Sequence, residues 1–126
     1  MTFARVVLLL TAAALAVIGI GFLIAPTSWA RAIEVVVASP TGRTDVRATY
    51  GGFVLATGVF LAVCAANADW IRPGLLACAL ILAGFAGGRL VGWAAEGTLS
   101  RLMAFFLVVE LGGTVAAVLA FLRSAA

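Results

Sequence analysis

Four long apolar runs constrain this chain more than any other feature of its sequence. They cover residues 6–25, 48–66, 74–95 and 102–122, and the only charged side chains within them are Arg89 and Glu110. A helix of about 20 apolar residues crosses the ~30 Å hydrocarbon core of a bilayer. The runs are too long for membrane strands and do not alternate. They therefore predict an all-α, antiparallel up-down bundle of four transmembrane helices, with residues 1–126 as a single domain.

The overall composition excludes most other classes of protein. Hydrophobic residues make up 65% of the chain and charged residues 10%, whereas soluble domains have about 45–50% and 25%. A chain of 126 residues is too small to bury that much apolar surface in water. The eight arginines are spread along the chain rather than clustered, so we expect no nucleic-acid partner.

The segment between the first two spans is the longest linker. Pro26 is expected to end the first helix, and residues 28–37 are predicted to form a short helix in the membrane interface. The apolar strip of this helix would be Trp29, Ile33 and Val36, with Arg31 and Glu34 facing water. We expect a turn at residues 40–42 before the second span.

The number of spans places both termini on one side of the membrane. The first span is longer than the ~7–15 apolar residues of a signal peptide, so we expect it to be retained. Three arginines lie on the terminal side (residues 5, 72 and 123) and four on the other side (residues 31, 43, 47 and 101). This bias is too weak to orient the protein. Arg5, in the short N-terminal tail, favours cytoplasmic termini.

Small residues recur at helical spacing in three of the spans. Gly84, Gly88 and Gly92 lie four residues apart, Gly52 lies between Ala48 and Ala56, and Gly112 precedes Ala116 and Ala120. Membrane helices approach closely where side chains are small. The glycines are therefore predicted to pack within the bundle, with an oligomer interface as the alternative for the Gly84 stripe.

Two charged side chains are predicted to lie inside the membrane. Such a charge costs ~2.5–3.5 kcal/mol on insertion scales. From the turn at residues 96–101, Arg89 lies about 10 Å deep and Glu110 about 14 Å deep, at the helical rise per residue. The two spans are joined by a short turn, so we expect an Arg89–Glu110 ion pair.

The start of the second span adds polar groups at the same end. Arg47 and Tyr50 share a helix face, and with Arg89 and Glu110 they form the predicted polar pocket. Its secondary members are Asp45, Thr57, Trp93 and Glu96. In one interpretation the ion pair only locks two helices together; in the other the pocket binds a ligand.

Several functions are compatible with such a pocket. The first is a non-enzymatic membrane protein that binds a lipid or a small anion, or serves as an accessory subunit of a larger membrane complex. The alternative is an ion- or proton-coupled transporter that works as an oligomer. An enzyme is disfavoured because the chain has no histidine, no Ser/Lys dyad and no paired carboxylates. Cys64 and Cys78 are expected to be core residues, with no metal or other cofactor.

The block Arg47-Ala48-Thr49-Tyr50-Gly51-Gly52 resembles the Arg-Ala-x-Tyr-Gly-Gly signature of a bacterial family of small four-helix membrane proteins of unknown function. Pro26, Arg89, Gly97 and Glu110 match other positions of that family, and the resemblance extends over nearly the whole chain. It implies the fold described above and a location in the bacterial inner membrane. It implies no activity.

The four-span topology predicts opposite membrane sides for Ser39 and Ser124. Each would be replaced by cysteine and labelled with a membrane-impermeant maleimide in intact and in permeabilised cells. We expect one position to react in intact cells and the other only after permeabilisation. Labelling of both positions from the same side would contradict four spans.

Overall fold

A computed structural model describes residues 1–124, which are mostly helical and contain no strand. Six α-helices follow one another: α1 (Phe3–Ile24), α2 (Pro26–Ala32), α3 (Pro40–Val46), α4 (Val54–Ala66), α5 (Ile71–Glu96) and α6 (Arg101–Arg123). A π-helix, Arg47–Phe53, joins α3 to α4, and a 3₁₀ turn, Ala68–Trp70, leads into α5.

Four helical segments are long and apolar enough to cross a membrane: Phe3–Ile24, Pro40–Ala66, Ala68–Glu96 and Arg101–Arg123. In the most apolar 18-residue stretch of each segment, only 33% is buried within the chain for the first three segments and 22% for the fourth. Apolar side chains on the outside of such helices are expected where lipid rather than water surrounds them. The fold is therefore that of a small all-helical membrane protein.

The segment after α1 differs from the prediction. Its helix begins at Pro26, whose fixed φ suits the first helical position, and it ends at Ala32 rather than extending from residue 28 to 37. Glu34 has a left-handed backbone (φ 62°), which stops the helix before Val36. The predicted turn at residues 40–42 is also wrong, because the Ser39 hydroxyl caps a helix that starts at Pro40.

Glycines bring α1 close to the second span. A Cβ added to Gly19 would lie 2.7 Å from the backbone nitrogen of Leu55 and 2.9 Å from the carbonyl oxygen of Gly51. A Cβ on Gly58 would lie 2.9 Å from the carbonyl oxygen of Ala12. The two backbones are therefore in direct contact, which only glycine permits. The largest fully buried side chains of the described residues come from α1, α4 and α5: Leu8, Leu61, Cys64, Leu75 and Cys78.

The glycines singled out from the sequence do not have the predicted packing role. A Cβ on Gly84, Gly88, Gly92 or Gly112 would meet nothing within 4 Å, and one on Gly52 would meet only the carbonyl oxygen of Arg47 at 3.8 Å. The helices are packed through other glycines: Gly19, Gly51, Gly58, Gly74 and Gly113. Regular spacing on α5 thus does not mark a tightly packed face, because α5 buries Leu75, Cys78 and Leu82 instead.

Replacing Gly19 by alanine tests this assignment. Because the nearest atoms are the Leu55 nitrogen and Cβ and the Gly51 carbonyl oxygen, none of which can move freely, we expect Gly19→Ala to destabilise the fold by about 1–3 kcal/mol, as overpacking does. Gly88→Ala is the matched control and should be neutral or slightly stabilising, since alanine favours a helix. Unfolding from mild detergent by titration with a denaturing detergent measures both. Equal stability of the two variants would contradict the close contact.

Candidate functional site

Arg89 on α5 and Glu110 on α6 form a bidentate ion pair. Arg89 Nε lies 2.8 Å from Glu110 Oε2 and 3.0 Å from Oε1, and Arg89 Nη2 donates to Oε1 at 2.9 Å. The side chains are 23% and 10% exposed, respectively. Bidentate pairing is the strongest arrangement of these two groups. It is the only salt bridge found in residues 1–124.

The other contacts of Arg89 also come from α6. Its Nη1 donates to Met103 Sδ at 2.8 Å, and its Cζ lies 5.2 Å from the centre of the Phe106 ring. Met103, Phe106 and Glu110 follow one another at spacings of three and four residues, so they share a helix face. The Arg89 guanidinium is thus bound along more than one turn of α6.

The turn between α5 and α6 sets the register of this pair. Gly97 ends α5 with a left-handed backbone (φ 71°), the usual helix-ending position for glycine. The Ser100 hydroxyl then accepts a hydrogen bond from the Met103 backbone and starts α6. Two helices joined by so short a connection must lie side by side, which brings Glu110 within reach of Arg89.

Arg47 and Tyr50 lie at the end of α1 instead. Arg47 Nε donates to the Leu23 carbonyl oxygen at 3.1 Å, in the last turn of α1, where carbonyl groups lack helical partners. The Tyr50 ring stacks on Phe22, with centroids 5.1 Å apart. A Cβ on Gly51 would lie 2.9 Å from Leu23 side-chain atoms. Arg47, Tyr50 and Gly51 therefore form the joint between α1 and the second span.

This joint coincides with the π-helix Arg47–Phe53. The π-helix is rare and often occurs at functional sites. Sequence periodicity did not indicate it, because the run from residue 48 onward is uniformly apolar. The Arg-Ala-x-Tyr-Gly-Gly block is the one signal that marked the segment as special.

The structure divides the predicted pocket into two separate groups. Arg47 and Tyr50 contact α1, whereas every partner of Arg89 is on α6. Within residues 1–124 no hydrogen bond, salt bridge or ring contact links the two groups. The prediction that all four residues line one cavity is corrected accordingly, because the freed carbonyl of Leu23 and the Phe22 ring hold Arg47 and Tyr50 against α1.

The two arginines also differ in electrostatic state. Arg89 is neutralised by a carboxylate, but the partner of Arg47 is an uncharged carbonyl, and Arg47 is exposed. The charge of Arg47 is therefore available to an outside anion, and that of Arg89 is largely used within the chain.

The secondary members of the predicted pocket contribute little to either group. Asp45, Trp93 and Glu96 are exposed. Thr57 donates its hydroxyl to the Phe53 carbonyl oxygen at 2.8 Å, as threonines do within apolar helices. Cys64 and Cys78 are free and buried, as core residues would be.

An apolar cleft lies between α1, α4 and α5, close to the Arg47 joint. It has a volume of about 400 Å³. Its lining residues are Leu15, Phe53, Val54, Thr57, Leu80, Ile81, Gly84 and Phe85. Tyr50 is three residues from Phe53, so the cleft begins within one helical turn of the polar joint. The sequence singled out only Thr57 and Gly84 among these residues, because apolar side chains on three separate helices share no sequence pattern.

A double-mutant cycle tests the coupling of Arg89 and Glu110. Removing one partner leaves a buried charge alone and should cost about 3–5 kcal/mol. We expect Arg89→Leu plus Glu110→Leu to cost less than the sum of the two single changes, with a coupling of about 0.5–3 kcal/mol. Unfolding in detergent gives the four stabilities. Additive losses would show that the two charges do not interact.

Comparisons with known proteins identify a family but no activity. The profile of the family described as Domain of unknown function (DUF4345) matches residues 3–121. No curated protein and no solved structure has a significant match to the chain. The match covers nearly all of the sequence, including both polar groups and the cleft. The chain therefore belongs to this family of unknown function.

Proposed function

We propose that this protein is a non-enzymatic membrane protein that binds an anionic lipid, with the headgroup at Arg47 and an acyl chain in the adjacent cleft. The observation that carries the proposal is the position of an unneutralised arginine beside an apolar cleft. A lipid is the ligand whose chemistry matches both features. A free anion would need only the arginine and not the apolar cleft.

The proposal includes a membrane arrangement in which successive spans cross in opposite directions. Contacts between α1 and the second span pair Leu23 with Gly51 and Ala12 with Gly58. Residue numbers thus fall along one helix as they rise along the other, as in an antiparallel pair. On α5 and α6, Arg89 pairs with Glu110, and Arg72 lies over Phe121. Such pairings support termini on one side, which we assign to the cytoplasm of a bacterial inner membrane.

In this arrangement α2 lies at the membrane surface opposite the termini. Trp29 packs against Gly21, and its ring centre lies 5.7 Å from that of Phe22, while Arg31 is exposed. An aromatic ring with an arginine beside it is typical of the headgroup region. Arg47 would lie at the same depth in the headgroup region as Trp29 and Arg31.

The headgroup end of the proposed site depends on the geometry of Arg47. Its Nε is used by the Leu23 carbonyl, which fixes the guanidinium and leaves the two terminal nitrogens for a phosphate. Arginine is well suited to paired hydrogen bonds with phosphate oxygens. Tyr50, 41% exposed, can add its hydroxyl.

The acyl end depends on the shape of the cleft. Its volume of about 400 Å³ falls within the ~300–1,000 Å³ of small-molecule sites. Inside a bilayer the hydrophobic effect does not favour the cleft over surrounding lipid, so close packing must hold the chain. The Arg89–Glu110 pair acts in this proposal as a lock between α5 and α6 and not as part of the ligand site.

The headgroup contact is tested by Arg47→Gln. Native mass spectrometry in neutral detergent would count bound phosphatidylglycerol, with phosphatidylcholine as the zwitterionic reference. Losing one arginine near a headgroup should weaken binding about fivefold, corresponding to ~1 kcal/mol. Arg101→Gln, an exposed arginine at the start of α6, is the control and should bind as wild type does. Equal binding by both variants would refute the headgroup site.

The acyl contact is tested by filling the cleft. Gly84→Leu should lower phosphatidylglycerol binding and leave any binding of inorganic phosphate unchanged. Gly88→Leu, one turn further along α5 and outside the cleft lining, is the matched control, since neither glycine has a neighbour within 4 Å of its added Cβ. If Gly84→Leu binds lipid normally while Arg47→Gln does not, the ligand is a free anion or a headgroup alone.

A further inference from the structure

A second pocket lies at the opposite end of the bundle, where α1 begins and α6 ends. Its volume is about 380 Å³. The lining residues are Thr2, Ala4, Ala68, Ile71, Arg72, Arg123 and Ser124. Two of them are arginines and none is acidic. The pocket shares no residue with the cleft beside Arg47.

Both arginines lie over aromatic rings, and within residues 1–124 neither forms a salt bridge. Arg72 Cζ lies 4.6 Å from the centre of the Phe121 ring, and Arg123 Cζ lies 5.9 Å from that of Phe3. A ring face attracts a guanidinium but carries no net charge. No Asp or Glu of residues 1–124 has a carboxylate within 4.0 Å of either arginine. The nearest acidic residue along the chain, Asp69, is exposed and forms no salt bridge with Arg72.

The start of α1 adds to the positive potential of this pocket. Thr2 caps α1 by accepting a hydrogen bond from the Arg5 backbone at 3.4 Å. The first amide groups of a helix have no carbonyl partner and form the positive end of its dipole. A 22-residue helix thus begins beside two guanidinium groups that form no salt bridge within residues 1–124. Arg5 lies in the same turn, and its Nε is buried without a hydrogen-bond partner in the described residues.

We propose that this pocket binds a phosphate group through Arg72 and Arg123. Two arginines that line one pocket, with the Thr2 hydroxyl at its edge, match the negative charge and several acceptor oxygens of phosphate. The group can belong to an anionic lipid headgroup or to a free phosphate compound. The proposal is independent of the Arg47 site, since it concerns the other end of the bundle.

The experiment measures phosphate and lipid binding separately. The protein in neutral detergent would be titrated with inorganic phosphate in one arm and with phosphatidylglycerol, against phosphatidylcholine, in the other, with native mass spectrometry as the readout. The variants would be made in an Arg47→Gln background, so that binding at the other end does not obscure the result. We expect Arg72→Gln and Arg123→Gln each to weaken binding about fivefold.

Two controls separate a binding role from a structural one. Phe121→Leu removes the ring beneath Arg72 but keeps the charge, so it should retain most of the binding even if stability falls. Arg101→Gln removes a charge at the other end of α6 and should change nothing. A loss confined to phosphatidylglycerol identifies a lipid headgroup as the source, and a loss in both arms identifies phosphate itself. If Arg72→Gln and Arg123→Gln bind both probes as Arg101→Gln does, the proposal is overturned.

Discussion

The direct backbone contact between α1 and the second span is the interaction on which the rest of the structure depends. Gly19, Gly51 and Gly58 allow it, because a Cβ at any of them would collide with the facing helix. Hydrocarbon provides no hydrophobic drive for helix association, so such close packing must supply the stability. This contact fixes the end of α1 against Arg47. It also leaves α4 packed less extensively on α5 than on α1, and the apolar cleft lies in that gap.

The second pair of helices is held by a different kind of force. α5 and α6 are joined by Arg89 and Glu110, whose two-pronged contact offsets the cost of placing charges among apolar groups. The bundle thus consists of a pair packed through glycine and a pair joined by charge. Because Glu110 neutralises Arg89, our proposals place anion binding at arginines whose partners within residues 1–124 are uncharged.

Three environments of arginine therefore lead to three roles. Arg89 faces a carboxylate, Arg47 faces a backbone carbonyl, and Arg72 and Arg123 face aromatic rings. Within residues 1–124, only the first environment supplies an opposite charge. The other two hold a guanidinium in position while keeping it attractive to phosphate, and they lie at opposite ends of the bundle.

Sequence alone determined the class of fold, because length and hydropathy along the chain decide which segments can cross hydrocarbon. It also determined the Arg89–Glu110 pair, since helical rise and a short turn around Gly97 fix the depth of both residues. Only the tertiary structure decided which glycines pack: the regular stripe from Gly84 to Gly92 has no neighbour within 4 Å of an added Cβ, while the scattered Gly19, Gly51 and Gly58 meet a neighbouring backbone. The spacing of residues in the sequence shows which of them share a helix face, but not what that face contacts. For the same reason the separation of Arg47 from Arg89, and the placement of Arg72 and Arg123 at one pocket, depend on how the helices rotate against one another, which an apolar sequence does not encode locally.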